Sequence, residues 1–249
     1  MLSAELERTA REIVAADRGI LAADESSGTI KKRFDSIGVE STEESRRAYR
    51  DLLFTTPGLG EWASGVILYD ETLRQSTRDG VPFPMSLAAG GMIPGIKVDK
   101  GAHPLAGSPE EKVTEGLDGL RDRLAEYAGL GARFTKWRAV ITIGEGIPTD
   151  YCIRTNAHAL ARYAALSQEA GLVPIVEPEV LMDAGNTIEV CHEVTLRTLQ
   201  HVFSELEEQR VSLEGMLLKP NMVVSGKQCP VQAGAEQVAE LTLTCFREA

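Results

Sequence analysis

The chain is poor in the residues from which metal centres and disulfide frameworks are built. Its four cysteines, Cys152, Cys191, Cys229 and Cys245, stand far apart with no C-x-x-C spacing, which is the pattern of reduced, packed thiols rather than of cross-links or a zinc knuckle. The four histidines are equally scattered. His192 and His201 fall in one predicted helix at a spacing of nine, but no H-E-x-x-H or comparable ligand cluster accompanies them. No metal site is expected. Positive charge is also scarce: 26 Lys and Arg against 37 Asp and Glu leave a net charge of −11. That balance excludes the basic stripe that nucleic acid or an anionic membrane surface would need. There is no window of about eighteen apolar residues, and the opening Met-Leu-Ser-Ala-Glu-Leu-Glu-Arg has neither a signal nor a transit pattern. A soluble, cytoplasmic protein is expected. Low-complexity segments and close internal repeats are missing too.

What is present is an alternation of short apolar runs and amphipathic segments. The 249 residues, 43% hydrophobic, are enough for one large core, and residues 1–249 read as a single domain. Strands are predicted at Gly19–Asp24, Gly65–Tyr69, Gly95–Asp99, Arg133–Ile141, Val173–Glu179 and Gly215–Val223. Helices are predicted at Ser3–Asp17, from the capping-box spacing Ser41-Thr-Glu-Glu44 through Leu53, and around Leu117–Ala128. Three more follow at Tyr151–Ala170, Glu189–Gln209 and Ala235–Arg247. Residues 100–116, rich in Gly and Pro, read as a long polar loop. Strands alternating with helices imply a parallel sheet covered on its outer face. No G-x-G-x-x-G follows the first strand, as a dinucleotide fold would require. Charges gather instead at the C-terminal strand ends, where a (β/α)₈ barrel collects its catalytic groups.

Strand side chains alternate faces. Lys97 and Asp99, Lys136 and Arg138, and Glu177 and Glu179 are pairs two residues apart, so three strands each offer two charges to one face. Asp24 and Lys219 join them from the first and sixth strands. A single pair of this kind reads equally well as a structural ion pair. Five strands contributing to one polar layer read as a functional site, because a core without a task would fill those places with Val, Ile and Leu. Lys219, set in the apolar run Gly215–Val223, is expected to be a buried cation that either pairs with a carboxylate or gives up its proton. A nearby Lys136 would disfavour its charge and leave an amine able to attack a carbonyl, with a Schiff base as product and the carboxylates as acid–base groups.

Several motifs then carry a resemblance. Ile20-Leu-Ala-Ala-Asp-Glu-Ser26, Gly65-Val-Ile-Leu-Tyr69, Gly95-Ile-Lys-Val-Asp-Lys-Gly101, Gly116-Leu-Asp-Gly-Leu120, Lys136-Trp-Arg138, Val173-Pro-Ile-Val-Glu-Pro-Glu179 and Leu217-Leu-Lys-Pro-Asn-Met222 resemble class I fructose-bisphosphate aldolase, in that family's order and over essentially the whole chain. The resemblance implies a TIM barrel and reversible cleavage of fructose 1,6-bisphosphate to dihydroxyacetone phosphate and glyceraldehyde 3-phosphate, with no metal or other cofactor. It implies that Lys219 is the Schiff-base lysine, Glu177 the acid–base residue for carbinolamine dehydration, Lys136 its support, and Asp24 the group handling the hydroxyl proton at the breaking C–C bond. Arg138 and Glu179 would position these groups. Ser26, Thr29 and Lys97 match positions that hold the far phosphate, with Arg33 and Asp99 also placed in substrate binding. A homotetramer is the family's assembly. The family's barrel has eight strand–helix units, whereas six are predicted here, so an incomplete barrel lacking one phosphate grip and the C-terminal tail is expected, with weak or no activity. The alternatives are a non-catalytic binding or scaffold protein derived from such a barrel, and another Schiff-base enzyme of the transaldolase kind.

Overall fold

The computed structural model describes residues 2–15 and 17–249. A leading helix, α1 (Leu2–Ile13), precedes strand β1 (Gly19–Ala23) and helices α2 (Ser27–Asp35), α3 (Glu43–Phe54) and α4 (Leu59–Trp62). Then come β2 (Ala63–Leu68), α5 (Asp70–Leu73), α6 (Phe83–Ala89), β3 (Ile93–Lys97) and a hairpin of β4 (Ala102–Leu105) with β5 (Ser108–Thr114). The chain continues through α7 (Leu120–Gly129), β6 (Phe134–Ile141), α8 (Asp150–Glu169), β7 (Val173–Val180), α9 (Ile188–Glu208), β8 (Leu217–Leu218) and α10 (Ala235–Glu248). The main sheet has the order β1-β2-β3-β6-β7-β8, and each neighbouring pair is parallel. This is the helix-covered, barrel-type sheet that the alternation of apolar runs predicts, with six strands among the described residues.

Alternation along β6 shows how the sheet divides its two faces. Thr135, Trp137 and Ala139 point outward to the helices: Trp137 stacks on Tyr163 of α8 at 5.5 Å, and Thr135 Oγ1 lies 3.0 Å from the Tyr163 hydroxyl. Trp137, Ala139 and Tyr163 belong to the large core between sheet and helices, where an aromatic pair of this kind adds about 0.5–1.5 kcal/mol beyond its burial. Phe134, Lys136 and Arg138 point inward. Phe134 packs with Ile67, Val173 and Ile175 in a smaller inner core, which Leu6, Ala10 and Ile13 of α1 close from below. Gly95 belongs to this packing, because a Cβ there would stand 2.2 Å from the Phe134 ring. The inner volume is therefore apolar at its N-terminal end, which leaves the polar side chains to the C-terminal end.

Several expectations are corrected. Residues 100–116 hold an antiparallel hairpin, not a loop: β4 and β5 pair from Ala102↔Thr114 to Leu105↔Ser108. Apolar periodicity could not signal it, because the buried positions of β5 are Glu111 and Thr114, which face inward on hydrogen bonds. Helix α2 is absent from the predicted helices because it opens on Ser-Gly-Thr, although buried Ile30 and Phe34 stand at i,i+4. The N-cap of α3 is Thr42, in a reciprocal capping box with Ser45, one residue later than the Ser41–Glu44 spacing suggested. The sixth strand shrinks from Gly215–Val223 to Leu217–Leu218, since Pro178 of β7 has no N–H to give the carbonyl of Lys219. Strands β1 and β8 are the two edges of the sheet. Between them lies a cleft of about 410 Å³ lined by Ile20, Ile67, Ile175 and Leu217.

Candidate active site

A cavity of about 1020 Å³ opens at the C-terminal strand ends, and every residue singled out from the sequence lines it. The register sets the inner rows. Lys97 pairs with Lys136 across β3 and β6, and Arg138 pairs with Glu177 across β6 and β7, so their side chains stand side by side on the inner face. Asp24 and Lys219 follow directly on the last residues of β1 and β8. Ser26, whose hydroxyl accepts from Thr29 N at the start of α2, brings Ser26, Thr29 and Arg33 to the same rim.

Charges form a connected chain across the cavity floor. Lys219 Nζ donates to Glu177 Oε1 at 2.5 Å. The other oxygen, Oε2, makes no aligned hydrogen bond and faces Lys136 Nζ at 3.3 Å. Lys136 Nζ donates in turn to Asp24 Oδ2 at 2.9 Å. Burial opposes the charge on Lys136, but the Asp24 and Glu177 carboxylates more than offset it, and the amine is held above the ordinary lysine range. Arg138 Nε donates to Glu179 Oε2 at 2.5 Å. Burial works against this guanidinium as well, and the bond it donates to Glu179 together with the surrounding carboxylates keeps it firmly protonated. Lys97 Nζ bonds the Asp99 carboxylate, which also accepts from Gly101 N at 3.0 Å and Arg138 N at 3.3 Å. Asp99 thus fixes the chain between β3 and the hairpin as well as lining the cavity.

One expectation fails. Lys219 is not buried: its side chain is 55% exposed, against 4% for its partner Glu177. The reason is its position after an edge strand of two residues, with no neighbouring strand on its outer side among the described residues. Arg33 is likewise not free, since it pairs with Glu25, which Arg50 also holds at 3.3 Å.

Sequence reasoning missed the far wall of the cavity. Arg74, which follows α5, and Arg123, Glu126 and Tyr127 of α7 line it. Arg123 donates to the carbonyls of Val98 and Gly116, at 2.9 and 2.5 Å, and Arg74 joins Asp70 and Glu126 at 3.0 and 2.5 Å. Arg123 was within reach of inspection, as it follows the Gly116–Leu120 motif by three residues. Arg74 had no signal, because α5 is too short to carry a periodicity.

A parallel, helix-covered sheet that presents lysines and carboxylates together at its C-terminal end defines a barrel-type enzyme working on a polar substrate. The family model for fructose-bisphosphate aldolase class-I (glycolytic) matches residues 5–249. A probable fructose-bisphosphate aldolase class 1 of Xanthomonas campestris pv. campestris is 63% identical over 243 residues, 98% of this chain and 73% of that protein. Fructose-bisphosphate aldolase 1 of Toxoplasma gondii is 56% identical over 245 residues, 98% of this chain and 68% of that protein. Among solved structures, a ternary co-crystal structure of fructose-bisphosphate aldolase from Plasmodium falciparum, in complex with TRAP and a small molecule inhibitor, superposes with a TM-score of 0.97 at 51% identity, covering 99% of this chain and 72% of that one. The chain belongs to the class I fructose-bisphosphate aldolase family, an enzyme family of lyases. Among the described residues no helix is long and apolar enough to cross a membrane.

Proposed function

We propose that this protein cleaves fructose 1,6-bisphosphate reversibly through a Schiff base on Lys219. The observation that carries the reading is the shared carboxylate of Glu177, which bridges Lys219 at 2.5 Å and Lys136 at 3.3 Å. Lys136, set between two carboxylates, keeps its proton. Glu177 takes the proton of Lys219, and the free amine adds to the ketose carbonyl. Glu177 then returns a proton to the departing hydroxyl, water leaves, and an iminium remains. Its buried Oε2, which faces Lys136 Nζ at 3.3 Å without an aligned hydrogen bond, suits this traffic. Asp24 removes the proton from the hydroxyl next to the breaking C–C bond, and the electrons of that bond flow into the iminium. The iminium is the electron sink, so the step asks for no metal ion. Glyceraldehyde 3-phosphate departs first, and protonation and hydrolysis release dihydroxyacetone phosphate and restore the amine.

Arg138 and Glu179 hold each other and the rim in place, while Ser26, Thr29 and Lys97 receive the phosphate end of the sugar and Arg33 and Asp99 join in substrate binding. The substrate is a small anion and the protein works in the cytoplasm, as a homo-oligomer. A polypeptide of these 249 residues is expected to turn over slowly, because Lys219 stands at an edge of the sheet with more than half its side chain in water and preorganisation there is poor. Cleavage measured beside the Xanthomonas campestris relative tests both parts. Slow cleavage that Lys219→Met abolishes is the expected result. A Lys219→Met variant as active as the parent contradicts the nucleophile, and a parent rate equal to the relative's contradicts the slow turnover.

A further inference from the structure

The segment that carries Lys219 has lost its ladder on both sides. Lys219 N donates to Val176 O at 2.8 Å, and there the backbone pairing of β7 with the last strand stops. The residue after Lys219 is Pro220, and the next residue of β7 on that side is Pro178; neither has an N–H to offer. The following donor of β7, Val180 N, goes instead to a side chain, Oδ1 of Asn221, at 3.0 Å. Nδ2 of the same amide donates to Thr195 Oγ1 of α9 at 3.1 Å and to Met222 O at 3.0 Å. Thr195 is 1% exposed, so the amide is anchored in packed structure at both ends.

We infer that Asn221 is the positioning residue of Lys219. Its side chain stands in for the missing ladder bonds and ties the Lys-Pro-Asn segment to β7 and α9, which keeps the amine on Glu177. This rests on the proposed role of Lys219 as nucleophile. A long side chain that is half in water and follows a two-residue strand has little else to fix its origin. Asn221 does not line the cavity, so it acts on substrate only through Lys219.

The test is the rate at which an adduct forms on the Lys219 peptide when the protein is mixed with dihydroxyacetone phosphate and quenched with borohydride at intervals. Adduct is measured by mass spectrometry and normalised to folded protein. Asn221→Ala is expected to slow trapping at saturating substrate about tenfold, with the half-saturating concentration unchanged, because the amine is misplaced while the phosphate grip is intact. Thr195→Val should slow it about threefold, and Thr195→Ser, which keeps the hydroxyl, should match the parent. An Asn221→Ala rate equal to the parent's overturns the inference and leaves Lys219 as nucleophile. If Asn221→Ala does not fold, equal rates for Thr195→Val and Thr195→Ser overturn it instead. A parent that forms no adduct on Lys219 overturns both this inference and the reading beneath it.

Discussion

Replacing Lys136 by Met removes the cation that touches both Asp24 and Glu177, and the consequence can be worked from the geometry. The lysine side chain is 9% exposed, and the two carboxylates are 10% and 4% exposed. Removing one partner of a buried ion pair leaves uncompensated charge and costs about 3–5 kcal/mol, a large part of the roughly 5–15 kcal/mol that holds a domain folded. With a urea slope near the upper end of about 1–3 kcal/mol/M, the midpoint at pH 7 should fall by about 1–2 M. The pH dependence takes its sign from the raised state of Lys136 in the fold. The stability it lends is complete below the unfolded lysine value of about 10.4 and is lost as pH climbs through its higher folded value, so the parent converges on the variant only in strong alkali. A urea midpoint at pH 7 equal to the parent's would refute this reasoning, since it would mean that the two carboxylates do not need the charge of Lys136.

Three further outcomes follow from single contacts. Gly95→Ala should destabilise by about 1–3 kcal/mol through overpacking against Phe134, and Phe134→Leu in the same chain should return part of it; thermal unfolding of the pair reads the coupling. Glu111 is buried and burial raises its carboxyl, but hydrogen bonds from Thr149, side chain and backbone, and from Ser108 outweigh that and hold it below the usual carboxylate range. Its stabilisation is present above the unfolded value of about 4.3 and fades as pH falls through its lower folded value, so Glu111→Gln should flatten the acid limb of a stability–pH curve below about pH 4.3 and speed proteolysis in the β4–β5 hairpin. Burial, aided by Glu111, pushes the Cys152 thiol up to about 12, and burial with Cys191 pushes Cys245 up to about 11. Iodoacetamide at pH 8 should therefore leave both unmodified until denaturant is added, as judged by peptide mapping.

The inner polar row was legible because it follows from period two: Lys136 and Arg138, or Glu177 and Glu179, must share a face, and apolar residues between them fix which face is buried. The strands that align those rows were legible as near-continuous apolar runs, and the helices α8 and α9 as long amphipathic ones. What escaped detection obeys other rules. The hairpin buries Glu111 and Thr114, so its pattern reads as surface. Helix α2 starts on residues of low helical propensity and is held by its cap and by Ile30 and Phe34. The length of β8 escaped because Pro178 in the partner strand decides it, not the apolarity of Leu217 to Val223. Lys219 was expected inside for the same reason, since hydrophobic neighbours mark a segment as core only where a further strand covers it.

The central claim, that Lys219 is the amine which bonds to substrate, is tested most directly by reducing a mixture of the protein and dihydroxyacetone phosphate with borohydride and mapping the adduct. A reduced three-carbon phosphate adduct is expected on Lys219 of the parent, and none on the Lys219→Met variant. An adduct on Lys97 or Lys136 alone, or no adduct on any lysine, would contradict it.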